Sequence, residues 1–491
     1  MPDQQAVSFT ASTALCAASG ASRSHDSRAS RTAIVWLGLL VAVGCVTPAM
    51  AQSLAPTGYW EFQGTGTVTN ESLTSSGTNA TDVLTIGGLA PSYTPDGIVG
   101  SAVEMSYSSF PATQGAVKFL DMNVAFGAGS TPAGGYALGD SFTIGSWYYV
   151  TNISTGGRTY VWEGATDYDL SLGSSTNNST TALAYNSRTE TLEVPGALTS
   201  GTWHHVTQVY SSVSGTTQMT VYLDGAAVGT TAGVASSTIA DSGIHLATAR
   251  TTVVRPLYGL MDETAVWNSA LTADQALDAY NRGLAGVTLT NASTVTGYAV
   301  GSTDNAWLTG ANWAGGTAPG ATGDPTSTDS DIAVVGNYAF TGGLGIDMAT
   351  ASGDLALGGI SFNSLAGSGD LVVGNSAATS GTLTLNGAAI DGATNVILNN
   401  EGGSNLTIAD VQGTDSGQQL TLQLGGTANT VLAGSGRTLT VATDITERNA
   451  SSGLTIAGAG TVALSGTNTY TGTTAVNAGT LAIASTAALP G

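Results

Sequence analysis

The chain has 491 residues, 42% of them hydrophobic and only 9% charged, with a formal net charge of −22. That length calls for two or three domains. So acidic a chain lacks the basic stripe that nucleic acid or an anionic membrane surface demands, and so few charges beside abundant Thr, Ser, Val and Gly exclude long solvent-exposed helices and charge-driven disorder.

Arg23, Arg28 and Arg31 precede the apolar run Ala33 to Val46, and Pro48-Ala49-Met50-Ala51 follows. A charged region, a short apolar region and an Ala-x-Ala site predict a secretory signal peptide over 1–51 with an extended polar start, cleaved between Ala51 and Gln52. The apolar run is too short to span a bilayer, and no later segment is long and apolar enough, so no transmembrane helix is expected in the mature chain. Ala42-Val43-Gly44 before Cys45 is a poor lipobox. Cys16 and Cys45 both precede the cleavage point, so the mature protein has no thiol chemistry and no disulfide.

Residues 52–286 hold most of the aromatics and cations of the mature chain. Short runs with period-two alternation recur there: Phe142 to Val150, Trp203 to Tyr210, and Gln218 to Leu223. In the last of these Met219, Val221 and Leu223 are expected to face inward and Thr220 and Tyr222 outward. Asp224-Gly225 reads as the following hairpin turn. Many short strands with turn signals indicate an antiparallel β-sandwich or jelly roll. Thr272-Ala-Asp-Gln275 has the form of a capping box opening a helix with Ala276, Leu277 and Tyr280 on its apolar stripe, and Gly283 is expected to end it.

Four segments carry a resemblance over this region: Gly58-Tyr-Trp-Glu-Phe62, Ser141-Phe-Thr-Ile-Gly-Ser-Trp147, Gly201-Thr-Trp-His-His-Val206 with Tyr222-Leu-Asp-Gly225, and Tyr258-Gly-Leu-Met-Asp-Glu-Thr-Ala-Val-Trp267 running on to Gln275. In this order they resemble the laminin-G-like, concanavalin A-like jelly roll domains. The resemblance implies two antiparallel sheets packed face to face, one of them concave, and recognition of polysaccharide or another surface polymer.

From 287 onward the only cations are Arg437 and Arg448. Trp307 to Trp313, then Pro319 and a Gly/Thr/Asp-rich run to Asp331, read as a linker or cap over 287–350. Over 351–491 Leu-x-Leu-type couplets recur at Leu383, Leu406, Leu420, Leu439, Leu454, Val462 and Leu481, with irregular spacing and Gly or Asn at their flanks. Each couplet buries two side chains at most, so the units must stack, which is the logic of a β-solenoid. The segment 458–485 resembles the autotransporter-associated β-strand repeat of bacterial surface proteins, which implies a right-handed parallel β-helix and a secreted or outer-surface location. The chain ends at Leu489-Pro490-Gly491 in mid-array, as a fragment or a truncated repeat block would.

Candidate chemistry is sparse. The jelly roll glucanases carry Glu-x-Asp-x-x-Glu, which occurs nowhere in this chain. Asp262-Glu263 is the nearest acid pair, but adjacent strand residues face opposite ways. Asp167 and Asp169 share a face at the wrong spacing. No Gly-x-Ser-x-Gly occurs, and His204, His205 and His245 lack the company a metal or catalytic site needs, so they read as sheet-face histidines. The cation-poor repeats offer nothing to a lyase groove. The resemblance implies calcium at the loop rim, for which Asp262 is the residue, helped by Asp167 or Asp169; Gln63 and Asn70 stand where that family carries acids, and Asp262 otherwise reads as an exposed turn or strand acid. Trp60, Trp147, Trp162, Trp203 and Trp267 are candidates for a sugar-stacking platform, although a sandwich needs most of them as core. The expected function is therefore a non-catalytic binding or adhesion protein, with a purely structural envelope component as the alternative and a glycoside hydrolase behind both.

Overall fold

The computed structural model describes residues 55–68, 84–86, 89–105, 118, 120–127, 136–151, 159–164, 169–172, 183–186, 191–194, 199–236, 240–248, 257–298, 305–336, 344–348, 354–363, 369–374, 380–401, 404–409, 420–484 and 486–489. All of them lie in the compact unit Ser53–Gly491. The expected leader with its Ala51–Gln52 junction, both cysteines, Asn70 and Asp167 lie outside the described residues.

The alternating runs pair into two antiparallel sheets. The first is ordered Ala226–Thr230, Thr216–Leu223, Trp203–Val213, Phe142–Val150, Gly259–Trp267, Ala102–Glu104 and Ser92–Thr94, with Gly58–Trp60 added along Gly259–Trp267. The second runs from Thr191–Val194 through Leu183–Asn186, Asp169–Leu172, Thr159–Gly164, Ala240–Leu246 and Leu120–Gly127 to Leu84–Ile86. One face of each is apolar, and Trp60, Phe142, Ile144, Trp162, Tyr210, Met219, Val221, Ile244 and Met261 fill the space between them. Asp224 and Gly225 both take positive φ, 50° and 78°, as a two-residue hairpin of matching twist requires.

Met219, Val221 and Leu223 face inward as expected. Tyr222 points the other way yet is only 9% exposed, because the helix Ala273–Leu284 lies over that outer face with Ala276 and Ala279. Alternation assigns the side of a sheet; it does not reveal that a second layer covers it. The capping box is present, with the Gln275 amide donating to Thr272 Oγ1 and the Thr272 amide to Gln275 Oε1. The helix does not stop at Gly283. It runs to Leu284, and Gly286 at φ 73° closes it, the Gly286 amide donating to Gly283 O and the Val287 amide to Arg282 O. Gly283 serves close approach instead, since a Cβ there would sit 2.3 Å from the Trp147 indole nitrogen.

Beyond the helix the chain winds through three sheets in a repeating order, and the pairing between successive turns is parallel except at the start of one sheet, where Ala321–Thr322 runs antiparallel to Leu355–Leu357. Leucine couplets stack in register: Leu355 on Leu383 on Leu422 along one sheet, and Leu371 on Leu406 on Leu439 on Val462 on Leu481 along another. Ile360, Leu398, Val431, Ile456 and Val476 make the third ladder. The couplets were irregularly spaced in sequence because loops of unequal length separate strands of equal register. Parallel pairing begins earlier than expected, at Val295–Gly297 against Ile332–Val335, inside the segment read as linker or cap. Tyr298, Trp307 and Trp313 close the beginning of this coil, with Trp307 Nε1 donating to Pro319 O at 3.0 Å. Arg448 serves the fold: its guanidinium donates to Ser327 O at 2.8 Å and Gly425 O at 2.6 Å, pinning the loop at Ser327 within the segment read as linker or cap.

A third apolar cluster joins the sandwich to the coil. Ile98, Val99, Trp147, Tyr280 and Leu284 meet Val295, Ile332, Val334, Ile390 and Val396. Arg282 reinforces it by ion pairing with Asp278 at 3.0 Å and donating to the carbonyls of Asn291 and Ser293 in the connecting segment.

Candidate functional site

Asp262 and Glu263 sit on the central strand Gly259–Trp267 at a register shift against Phe142–Val150, and Glu263 takes φ 48°. The shift breaks the simple alternation expected of them, and both side chains are buried, at 0% and 3% exposure. Asp262 is thus no exposed turn acid. Its Oδ2 accepts the amides of Ile98 at 3.0 Å and Val99 at 3.1 Å, and Oδ1 accepts the Glu263 amide at 2.9 Å. Three backbone donors occupy a carboxylate that a calcium ion would need. Gln63 ties the same loop through Val99 O and the Ser101 amide. Among the described residues no group of three His, Cys, Asp or Glu side chains is placed to hold a metal. The residues around Asp262 therefore do not fit calcium. Glu263 accepts the Tyr59 hydroxyl, and Tyr59 in turn accepts the Leu289 amide. Burial, and then the charge of Asp262, pushes the Glu263 carboxyl well above the usual carboxylate range.

The histidines separate as strand neighbours should. His205 packs beside the stacked rings of Trp147 and Tyr280 and is buried; desolvation lowers it to about 4. His204 faces a turn, with Nδ1 2.8 Å from Asp224 Oδ2 and Nε2 3.0 Å from Thr199 Oγ1. That is the outline of an acid–base–hydroxyl relay, but the Thr199 amide also donates to Nε2 at 3.2 Å, so the lone pair is committed to holding the turn. His245 Nε2 pairs with Asp121 at 2.9 Å. Trp60, Trp147, Trp162 and Trp267 are core residues, and of the five tryptophans proposed as a platform only Trp203 is left half-buried.

Trp203 stands at a cleft of about 300 Å³ where the sandwich meets the coil. Asp96 comes from the loop that Asp262 holds, and Asn363, Asp391, Asn399 and Glu401 come from the coil. Asp391 fixes the two bodies together here: its Oδ1 accepts the Gly100 amide at 2.9 Å and its own amide donates to Gly286 O at 2.6 Å. Sequence reasoning missed Asp391, Asn399 and Glu401. The one available signal was the polar pair Asn399-Asn400 ending a strand directly after the apolar run Val396, Ile397 and Leu398.

Two family models match parts of the chain. Residues 126–276 match the concanavalin A-like lectin/glucanases superfamily. The match lies within the region where the four motifs were found, and residues 454–483 match the passenger-associated-transport-repeat, covering most of the repeat copy expected at 458–485. No curated protein matches the chain. Among solved structures it is similar to domain 4 of an extracellular arabinanase from Geobacillus stearothermophilus, in complex with arabinotriose (19% identity, 46% of this chain and 97% of that one, TM-score 0.32). It is also similar to a heptameric SAP-like pentraxin from Limulus polyphemus (17% identity, 37% and 82%, TM-score 0.27). A third likeness is to a sialidase carbohydrate-binding module from Ruminococcus gnavus bound to α2,3-sialyllactose (18% identity, 28% and 80%, TM-score 0.23).

Proposed function

We propose that this is a non-catalytic binding protein of a bacterial outer surface or secreted fraction, its concanavalin A-like head recognising carbohydrate or another surface polymer and its coil serving as the stalk. The observation that carries the reading is the superfamily match over 126–276 in one chain with a passenger-type repeat at 454–483. The fate of the acid pair removes Asp262 and Glu263 as hydrolytic residues. Glycoside cleavage needs two carboxylates facing a substrate, whereas Asp262 and Glu263 are spent on backbone amides and Tyr59. The proposal places the leader at 1–51, the head at 52–286 and the coil after it, wound right-handed as strand crossovers generally are. A glycan array of the secreted protein, with and without calcium, tests the reading. Calcium-independent binding to a defined glycan class is expected, and no binding under either condition contradicts it. The apolar cluster that fastens the head to the coil favours a second reading, a purely structural envelope component, for which self-association without glycan binding would be the result.

A further inference from the structure

We propose that the cleft between head and coil binds a protonated amino sugar, its ammonium held by Asp391 and Glu401 and its ring laid against Trp203. The inference rests on the carbohydrate-binding reading and gives it a place and a chemical class. Among the described residues the polar side chains lining the cleft are the carboxylates of Asp96, Asp391 and Glu401 and the amides of Asn363 and Asn399, with no cation. A wall of acceptors selects a ligand rich in donors, and one carrying positive charge above all.

Asn399 makes the demand specific. It is 1% exposed, its Nδ2 donates to Ser361 Oγ at 3.2 Å, and that hydroxyl donates to Ala285 O. The amide is thereby oriented, and Asn399 Oδ1 has no hydrogen-bond partner among the described residues. A buried acceptor of this kind is rare and costly to leave unmade. Burial raises the carboxyls of both Asp391 and Glu401, and the charge of Asp391 raises Glu401 further. A ligand cation between them would relieve that crowding. The walls are set in advance, by the Gly100–Asp391 and Asp391–Gly286 hydrogen bonds on one side and by the Asp262 clamp on Ile98 and Val99 on the other. A cleft of about 300 Å³ stands at the lower end of small-ligand sites and suits one or two sugar rings. The half-buried Trp203 offers the apolar surface that a sugar ring lies on.

Calorimetric titration of the full secreted chain with tetraglucosamine, its N-acetylated counterpart and tetralysine tests the proposal. Tetraglucosamine should bind roughly tenfold or more tighter than the acetylated tetramer, which has lost its charge, and should weaken as salt is raised. Glu401→Gln, at a half-buried residue, should weaken tetraglucosamine binding by a similar factor while leaving the unfolding midpoint in place. The salt and acetylation dependence of the unaltered protein decides the matter if that variant fails to fold. Equal affinity for both tetramers, tetralysine binding as tightly, or full binding by a folded Glu401→Gln protein would each overturn the cleft assignment. Glycan binding that survives Glu401→Gln on the array would do so while leaving the head's recognition role standing; absence of all glycan binding by the unaltered protein would remove both.

Discussion

At the scale of single residues, Asp262 is the keystone of the loop at 97–101. Asp262→Ala would leave three amides without their acceptor, and a loss of about 3 kcal/mol in unfolding free energy is expected from denaturant titration. Calcium should not raise the melting midpoint of the unaltered protein. Two buried titrating groups act in opposite directions with pH. Glu263 is raised in the folded state, so its contribution is complete below the ordinary glutamate range and is lost as pH rises through its folded value. His205 is lowered to about 4, so its contribution is complete above the ordinary histidine range and is lost as pH falls from there through about 4. Melting curves across pH should show both arms, and Glu263→Gln should shrink the alkaline arm, to which the raised carboxyls of Asp262, Asp391 and Glu401 also contribute, while leaving the acid arm in place. Asp262 and Glu263 were recognisable from sequence as an acid pair, but their burial was not, because a bulge and a positive φ at Glu263 overrode strand alternation.

At the scale of elements, local chemistry was legible where it is self-contained. The capping box of Thr272 and Gln275 and the Asp224-Gly225 turn are decided within four residues, and both formed as expected. What sequence could not supply was the neighbour. Gly283 read as a helix end because its contact with Trp147 lies 136 positions away, and Tyr222 read as exposed because the helix that covers it begins 51 residues later. Gly225→Ala tests how tightly this layer is fitted. Its Cβ would stand 2.7 Å from Leu277 Cδ1 at a φ of 78°, and a loss of about 1–3 kcal/mol is expected in thermal unfolding. Thr272→Ala should cost about 1 kcal/mol by removing the cap alone.

At the scale of the whole molecule, the need for stacked couplets was readable from composition, whereas the register, the earlier start at Val295 and the shared apolar cluster were not, since each depends on contacts between distant turns. A coil of this kind holds each turn by its neighbours, so Leu422→Ala, between Leu383 and Ile445, should cost about 2–5 kcal/mol and loosen hydrogen-exchange protection in the turns on either side. The cleft was invisible for the same reason: its acids are supplied by loops and strand ends of two bodies whose junction no local pattern encodes. The proposed role of this assembly is to bind a polymer and leave it intact. The most direct measurement incubates the secreted protein with the glycan that the array selects, recording the binding isotherm and the chain length of the glycan together. Saturable, chelator-insensitive binding with no change in chain length is the predicted result; newly released reducing ends, or no saturable binding, would contradict it.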